Sequence, residues 1–211
     1  VTGSFVRDVM LSSGINIPVI VCGNGCDHLP SRKQLQRDSS AVSSESDFRF
    51  LHVSSCFPRK GADILVKAFV EEFDADDNVS LLVKTFPNPH QRIAEEVKEL
   101  QHLSEAARNI HVIDKNLDFE ELVELYRTAH VLVAPSRGEG FGLPFAEAMI
   151  ELLPVITTGW GGQTDFCNNS TADLIDYKLK VADAHVSGSN SLWAEPSIDD
   201  LRRKMRGVYS D

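Results

Sequence analysis

A glycine-rich run between Ser136 and Glu147 has the composition of a loop that binds phosphate and hydroxyl groups. Gly138, Gly140 and Gly142 let the backbone approach a ligand closely and adopt positive φ values. The run follows a strongly apolar segment and opens a helix with proline in its first turn, where unpaired N–H groups and the helix dipole favour an anion. The sequence therefore predicts a ligand site at this strand-to-helix corner.

Two carboxylates bracket this corner. Glu139 lies in the loop, and Glu147 is expected in the first turn of the helix that follows. Carboxylates near a bound phosphate repel it unless they accept hydrogen bonds from hydroxyl groups, and the hydroxyls of a sugar and a ribose meet that requirement. In the alternative interpretation Glu147 only complements the helix dipole and Glu139 is solvated. The glycine run around them favours ligand binding.

Apolar segments alternate with amphipathic helical segments from about Phe48 onward, a rhythm that indicates βαβ units. We predict strands at residues 48–53, 79–84, 110–113, 131–134 and 155–157, and helices at residues 60–73, 91–107, 118–126, 144–152 and 198–209. Asp118 and Glu121 predict a capping box. The predicted fold class is α/β, a Rossmann-like doubly wound parallel sheet of about six strands, in which ligands bind beyond the carboxyl ends of the strands.

The N-terminal part of the chain has a different pattern. Residues 4–14 predict a helix without a partner in the sheet. Residues 19–21 predict a strand that leads into a turn at residues 23–27. Residues 31–47 are rich in Ser, Gln and charged residues, and we predict a surface loop or a mobile connection there.

The composition excludes several classes of protein. A formal net charge of −10 over 211 residues argues against broad nucleic-acid binding, which requires a basic surface. No apolar stretch approaches the roughly 20 residues of a membrane span, and no signal-peptide pattern opens the chain. The four cysteines form no CxxC pair, so we expect reduced thiols in a cytoplasmic protein. A metal site at Cys22, Cys26 and His28 is disfavoured.

Several short motifs occur together in this chain. They are Glu-Gly-Phe-Gly-Leu-Pro-Phe-Ala-Glu-Ala-Met from Glu139, Pro154-Val155-Ile156-Thr157-Thr158, Gly161-Gly162, Gly23-Asn24-Gly25-Cys26-Asp27, and Phe50-Leu51-His52-Val53 with Arg59-Lys60-Gly61. Together, over about residues 4–211, they resemble the family 4 (group 1) glycosyltransferases of the GT-B fold, and the ending at residues 191–196 resembles bacterial polysaccharide and O-antigen assembly members. The chain would then be the C-terminal half of a GT-B fold.

The resemblance implies a role for each matching residue. Lys60 would contact the diphosphate of a nucleotide diphosphate sugar, Glu139 would accept hydrogen bonds from the donor sugar, and Glu147 from the ribose. Lys60 and Glu139 are the candidate catalytic residues. The other candidate donor-binding residues are Ser136, Gly140, Phe141, Gly142, Leu143, Arg59 and Lys84. The family transfers its sugar with retention and needs no metal or other obligatory cofactor, because basic side chains and a helix end neutralise the diphosphate.

One position departs from the family pattern. The arginine that usually lies five residues before the lysine is Ser55 here. Arg59 is a candidate substitute, and Lys84, near the end of a predicted strand, is a second candidate cation; a solvated strand end is the alternative for Lys84.

Two further groups of residues could carry chemistry but are better explained otherwise. Asp74 and Asp76 match a metal-binding Asp-x-Asp pattern, yet they lie in an acidic segment after a helix, where a solvated turn is expected. His52 ends a predicted strand near the expected crevice, and we predict that it packs in the core rather than binding ligand.

The resemblance also implies how the chain is divided. Residues 1–27 would be the end of a missing N-terminal domain with the interdomain hinge, and residues 28–211 the nucleotide-sugar-binding domain. The first residue is Val1 rather than Met, which favours a piece of a longer protein. Because a GT-B enzyme holds its acceptor in the other half, we expect this chain to bind donor weakly and to transfer nothing alone.

The predicted function of the intact protein is transfer of a sugar, of the hexosyl type, from a nucleotide diphosphate sugar to a glycan or lipid-linked glycan. We expect it in the cytoplasm, with peripheral attachment to the inner membrane through the missing half. The alternative is a non-catalytic nucleotide-sugar-binding module, which the change at Ser55 keeps open. A GT-B epimerase or phosphorylase is disfavoured, because neither an epimerase pair nor a pyridoxal lysine pattern is present.

Overall fold

The fold is built around a parallel sheet of six strands. It is described from a computed structural model, which places residues 1–26, 28, 48–183 and 191–211. The strands are β1 (Phe48–Val53), β2 (Val79–Thr85), β3 (Ile110–Asp114), β4 (Val131–Ala134), β5 (Val155–Thr158) and β6 (Asp173–Ile175). Their order is β3-β2-β1-β4-β5-β6, and each pairing is parallel. The predicted α/β, Rossmann-like class is confirmed.

Helices cover both faces of this sheet, and a small hairpin follows its last strand. The helices are α1 (Ser4–Ser12), α2 (Ala62–Glu72), α3 (Ile93–Leu103), α4 (Phe119–Thr128), α5 (Leu143–Ile150) and α6 (Ile198–Ser210). The hairpin is antiparallel and consists of β7 (Tyr177–Val181) and β8 (Leu192–Pro196).

The central strand β1 shows why the sheet is buried on both faces. Phe50 and Leu51 are neighbours in sequence and both are fully buried, since successive side chains of a strand point to opposite faces. Phe50 packs in a cluster with residues of α2, α3 and α6, whereas Leu51 packs with residues of α4 and α5. Continuous apolar runs are typical of such strands. Because β1 and β4 are neighbouring parallel strands, their carboxyl ends lie at the same edge of the sheet, where the loops that follow them meet.

The capping box predicted at Asp118 is present. Its side chain accepts a hydrogen bond from the Glu121 N–H at 2.8 Å, and the Glu121 carboxylate accepts from the Asp118 N–H at 3.0 Å. These bonds satisfy N–H groups that have no partner within the helix. Helix α4 therefore begins where the sequence predicts, and it carries Tyr126 on its buried side.

The backbone around Lys60 differs from the prediction of one helix over residues 60–73. A 3-10 turn at Pro58–Lys60 comes first, then Gly61 with a φ of +71°, and only then α2. A Cβ on Gly61 would lie 2.0 Å from the carbonyl oxygen of Pro135. This close approach of two loops interrupts the helix, and Lys60 lies on the turn before it.

Two other helices also have shifted boundaries. The helix predicted at residues 144–152 spans Leu143–Ile150, so Glu147 lies in its second turn and not in its first. The helix predicted at residues 91–107 ends at Leu103, and a separate 3-10 turn follows at Ala106–Asn109. The shift at Glu147 weakens its interpretation as a complement to the helix dipole, which acts mainly on the first turn.

The strand predicted at residues 19–21 is not formed. The Val1 ammonium donates to the Ile20 carbonyl at 2.9 Å and the Val1 carbonyl accepts from the Cys22 N–H, but no strand lies beside this segment in the described residues. The sixth strand is β6 instead. It has only three residues, too few to show a period-2 apolar pattern. Strand β7 does alternate apolar and charged residues, but every residue of it is exposed. The loop predicted at residues 31–47 lies outside the described residues.

Candidate functional site

Lys60 and Glu139 meet at the carboxyl edge of the sheet. Lys60 ends the turn after β1, Glu139 lies in the loop after β4, and the two strands are neighbours. Lys60 Nζ donates to both carboxylate oxygens of Glu139 at 2.7 Å, and Ser136 Oγ donates to one of them at 2.9 Å. The side chains of Lys60 and Glu139 are 13% and 7% exposed. Burial lowers the pKa of Lys60, and the Glu139 carboxylate works in the opposite direction.

Arg59 reaches the same carboxylate from a second direction. Its Nη1 donates to the Gly138 carbonyl at 3.1 Å and lies 3.7 Å from Glu139 Oε2. The Ser55 carbonyl, by contrast, accepts a hydrogen bond from Asn88 Nδ2 at 3.2 Å. Two cations therefore converge on Glu139, and the second one comes from the position next to Lys60 rather than from position 55.

Glu147 is buried and is already hydrogen-bonded. The Tyr126 hydroxyl donates to Oε2 at 2.7 Å, and His28 Nε2 lies 2.9 Å from Oε1. Burial and the neighbouring Glu147 charge raise the pKa of Tyr126 well above its ordinary value, so Tyr126 acts as a donor. Neither partner was predicted from the sequence, because Tyr126 lies 21 residues and His28 119 residues away along the chain.

The loop that carries Gly140 and Gly142 packs against a second loop, after β5. The Gly162 N–H donates to the Glu139 carbonyl at 2.8 Å, and a Cβ on Gly162 would lie 2.0 Å from the Gly140 oxygen. Gly142 has a φ of +88°, a conformation that favours glycine. Within the part of the chain that the structure describes, the amides of residues 140–143 donate to no protein acceptor. Unpaired amides at the start of a helix are groups that can bind an anion.

Arg137 is a buried residue of the same loop that was not predicted as functional. Its guanidinium donates at 2.7–3.0 Å to both carboxylate oxygens of Asp63 and of Glu195, and it also donates to the Pro58 carbonyl. Burial opposes its charge, but the two carboxylates outweigh that effect and raise its pKa above the ordinary value. The Trp193 ring stacks on it with the guanidinium carbon 5.0 Å from the centroid. Arg137 thus connects the loop of Glu139, the turn of Lys60 and the β7–β8 hairpin.

A comparison with known families explains this combination of features. Residues 47–187, or 141 of the 211 residues, match the sequence profile described as Glycosyl transferases group 1. The chain belongs to this family. The carboxyl-edge location of Lys60, Glu139 and the glycine-rich loop is consistent with a group 1 glycosyltransferase domain, as the sequence resemblance implies.

Individual relatives agree with the family assignment. A segment of 107 residues is 33% identical to the serotype-specific mannosyltransferase WbdA of Escherichia coli and covers 51% of this chain but 13% of that protein. The fold resembles a glycosyltransferase from Rickettsia africae, with a TM-score of 0.72 and 20% identity over 99% of this chain and 52% of that one. It also resembles the C-terminal domain of a group 1 family protein from Francisella tularensis, with a TM-score of 0.57 and 21% identity over 86% and 83%. The chain therefore spans well under two thirds of the curated relative.

Two further residues of this group 1 glycosyltransferase chain have hydrogen-bond partners other than Lys60 and Glu139. Lys84 is buried, its Nζ donates to the Thr85 carbonyl at 2.9 Å, and burial lowers its pKa. Its role as a donor-binding cation stays a prediction that these contacts do not favour. His52 is fully buried, with Nδ1 2.9 Å from the Val133 carbonyl and Nε2 2.8 Å from Ser54 Oγ, as predicted for a core residue.

The remaining candidates can be stated briefly. Asp74 and Asp76 lie in an exposed turn, as predicted. In residues 1–26, 28, 48–183 and 191–211, no three His, Cys, Asp or Glu side chains are grouped closely enough to hold a metal ion. None of the helices in these ranges combines the length and the apolar composition needed to cross a membrane.

Proposed function

We propose that this chain is the donor-binding part of a retaining glycosyltransferase, which moves a sugar from a nucleotide diphosphate sugar to a glycan or lipid-linked glycan. One observation carries the proposal. Lys60 Nζ and the Glu139 carboxylate meet at 2.7 Å, beside a loop whose amides at residues 140–143 have no acceptor among the described residues. A cation, an acid and a row of amide donors are the groups that a sugar diphosphate requires.

In the structure, the Lys60 ammonium group and the Glu139 carboxylate are paired with each other. A diphosphate carries more negative charge than one carboxylate, so we expect Lys60 and Arg59 to turn from Glu139 toward it when donor binds. Glu139 is then free to accept hydrogen bonds from hydroxyls of the donor sugar. The cations and the amides of α5 stabilise charge that develops on the diphosphate as the bond to the sugar breaks, which is the main catalytic contribution we assign to this chain.

Glu147 and Tyr126 are proposed to hold the ribose. A ribose hydroxyl can donate to Oε1 of Glu147 in place of His28, while Tyr126 keeps Oε2 at 2.7 Å. A buried carboxylate with one oxygen fixed by a phenol presents its other oxygen in a defined direction. This arrangement supports the role that the family resemblance implies for Glu147.

The finer assignments are also proposals. The relative from Escherichia coli is a mannosyltransferase, which supports hexosyl transfer in polysaccharide assembly by the intact protein. We propose that residues 1–27 end a preceding domain and form the hinge, that residues 28–211 bind donor, and that the acceptor domain lies outside this chain. No metal or other cofactor is needed in this scheme. We propose a cytoplasmic location, with attachment to the inner membrane through the missing half.

The rival is a non-catalytic nucleotide-sugar-binding module, which Ser55 favours because it removes the usual arginine. Calorimetric titration of the 211-residue chain with UDP, GDP and ADP and with their hexose conjugates tests whether the site binds a donor or is degenerate. We expect one nucleotide series to bind, and the sugar conjugate to bind more tightly than the bare diphosphate. No heat with any of them contradicts the donor site and leaves a degenerate scaffold. Measurable sugar transfer by this chain alone would contradict the need for a second domain.

A further inference from the structure

The chain contains two tryptophans, and both line one pocket beside the candidate donor site. The pocket has a volume of about 360 Å³, at the lower end of the range for small-ligand sites. Its apolar walls are Trp160, Trp193, Phe5 and Leu192, and its polar rim includes Arg59 and Glu139. Glu139 is thus shared between this pocket and the pair with Lys60.

The aromatic walls are held in place by contacts within the described chain. The ring of Trp160 meets the ring of Phe5 edge to face, with centroids 4.9 Å apart. It also lies against the Gly138 backbone, where a Cβ would be 3.8 Å from the indole. Trp193 is held on its other side by the guanidinium of Arg137. Rings that are fixed before a ligand arrives lose little conformational freedom when it binds.

The charges around the pocket favour an uncharged ligand. Arg137 is matched by two carboxylates, those of Asp63 and Glu195. Arg59 lies 3.7 Å from Glu139 and is only partly available. Among the described lining residues an anion would therefore find one shared cation, whereas a sugar ring would find aromatic faces for its C–H groups and a polar rim for its hydroxyls. This division between apolar walls and a few polar groups is typical of pockets that bind small neutral ligands.

From these observations we infer that the pocket binds a saccharide unit of the acceptor. The inference rests on the proposed function, because Glu139 is assigned to the donor sugar there. The pocket shares Glu139 and Gly140 with the donor site, so a saccharide ring in it lies next to the sugar to be transferred. Holding two reactants side by side is the proximity that a transfer reaction needs. The chain would thus contribute to acceptor recognition as well as to donor binding.

Tryptophan fluorescence tests this directly, because both fluorophores of the chain line the pocket. The probes are methyl α-mannoside, methyl α-glucoside, methyl α-galactoside and the corresponding α-linked disaccharides, none of which carries phosphate. We expect at least one disaccharide to change the emission saturably, with a dissociation constant in the millimolar range, of order 1–10 mM. Saturating nucleoside diphosphate, identified by calorimetry, should leave this response in place.

Two variants assign the response to the pocket. Trp160→Leu should weaken disaccharide binding up to about tenfold, as expected for loss of one aromatic contact, and Trp193 then remains as the reporter. Tyr177→Leu is the control, because Tyr177 lies on the β7–β8 hairpin with Trp193 but outside the pocket. This variant should leave the affinity for the disaccharide unchanged. If Trp160→Leu unfolds the chain, Trp160→Phe with Trp193 as reporter gives the same comparison with a smaller loss.

Three outcomes overturn the inference. No disaccharide response up to roughly 50 mM, in a chain that still binds nucleoside diphosphate by calorimetry, contradicts the pocket and leaves the proposed function standing. A response to the nucleotide sugar but to no free saccharide means that the pocket holds the donor sugar. An equal loss in Trp160→Leu and Tyr177→Leu means that the response arises elsewhere. Saccharide binding without nucleotide binding would contradict the proposed function and not the pocket.

Discussion

Arg137 and Glu195 lie 58 residues apart in the sequence and are joined by two hydrogen bonds of 3.0 Å. The same guanidinium binds both oxygens of Asp63, at 2.7 and 2.8 Å. Because Arg137 lies two residues before Glu139, this network fixes the loop that presents the candidate catalytic acid. It also attaches the β7–β8 hairpin, and with it Trp193, to the edge of the site.

Replacement of Arg137 should destabilise the fold. Arg137→Met leaves Glu195 partly buried without its partner, and breaking a buried ion pair on one side costs on the order of 3 kcal/mol. Urea unfolding followed by circular dichroism measures this loss. Arg108→Met is the matched control, because Arg108 and its partner Glu105 are 66% and 72% exposed, and an exposed pair contributes about 0–1 kcal/mol. Equal losses in the two variants would contradict a structural role for Arg137.

Two glycine substitutions should have effects of opposite sign. Gly162→Ala puts a Cβ 2.0 Å from the Gly140 oxygen, and relief of such a clash costs about 1–3 kcal/mol. Gly207→Ala, in α6 with nothing within 4 Å of its Cβ, should stabilise by roughly 0.5–1 kcal/mol, because alanine loses less conformational entropy than glycine in a helix. Thermal unfolding measures both. A stabilising Gly162→Ala would show that the two loops do not touch.

His52 should make stability fall as the pH falls from about 6.5 to 4. Burial lowers its pKa from 6.5 to about 4, and the positive charge of Lys60 acts in the same direction. Between these values the unfolded chain binds a proton that the folded chain does not, so the free energy of unfolding rises with pH in this window. A pKa difference between 6.5 in the unfolded chain and about 4 in the folded chain corresponds to a loss of roughly 3 kcal/mol in the free energy of unfolding when the pH falls through this window.

Urea unfolding at pH 4.5 and pH 7 tests the role of His52. The His52→Gln variant should lose about 2–3 kcal/mol less than the wild type between these pH values. The control His111→Gln, at an exposed position in β3, should lose as much as the wild type. The account of His52 is wrong if His52→Gln keeps the full pH dependence.

Glu147→Gln should weaken binding of the nucleotide but not of pyrophosphate. The amide still accepts from Tyr126, so the fold is kept, but a neutral acceptor binds a ribose hydroxyl less strongly than a carboxylate does. The difference corresponds to about tenfold in the dissociation constant. Calorimetry with the preferred nucleoside diphosphate and with inorganic pyrophosphate makes the comparison. Equal affinity of wild type and variant for the nucleotide would remove Glu147 from the ribose site.

The sequence predicts most of the sheet because its strands carry their own signal. Strand β4 is a continuous apolar run, and β1 and β2 are predominantly apolar segments. The predicted boundaries of β1 and β4 agree with the structure. Residues 19–21 have a similar composition, but no strand among the described residues pairs with them. Strand β6, by contrast, is too short to give a clear signal in the sequence, but it forms because it pairs with β5. Local composition cannot report whether a neighbouring strand exists.

Prediction of the candidate site from the sequence is limited in the same way. The sequence motifs identify Lys60, Glu139 and Glu147, because residue type and spacing are local. The hydrogen bonds of Glu147 to Tyr126 and His28, and those of Arg137 to Asp63 and Glu195, depend on side chains far away in the chain. The direction of Arg59 depends on the turn at Pro58–Lys60, which Gly61 and the nearby Pro135 carbonyl determine. These relationships arise only when the loops are brought together.

The most direct test of the donor site is the affinity of Lys60→Met for the nucleoside diphosphate that the wild type prefers. Lys67→Met is the control, because Lys67 is a 59% exposed lysine on α2. If Lys60→Met unfolds because Glu139 loses its partner, the double variant Lys60→Met/Glu139→Gln removes that charge. Loss of a charge-assisted hydrogen bond to phosphate should raise the dissociation constant about 10- to 100-fold, with Lys67→Met unchanged. Equal affinity of the Lys60 and Lys67 variants by calorimetry would contradict diphosphate binding at Lys60.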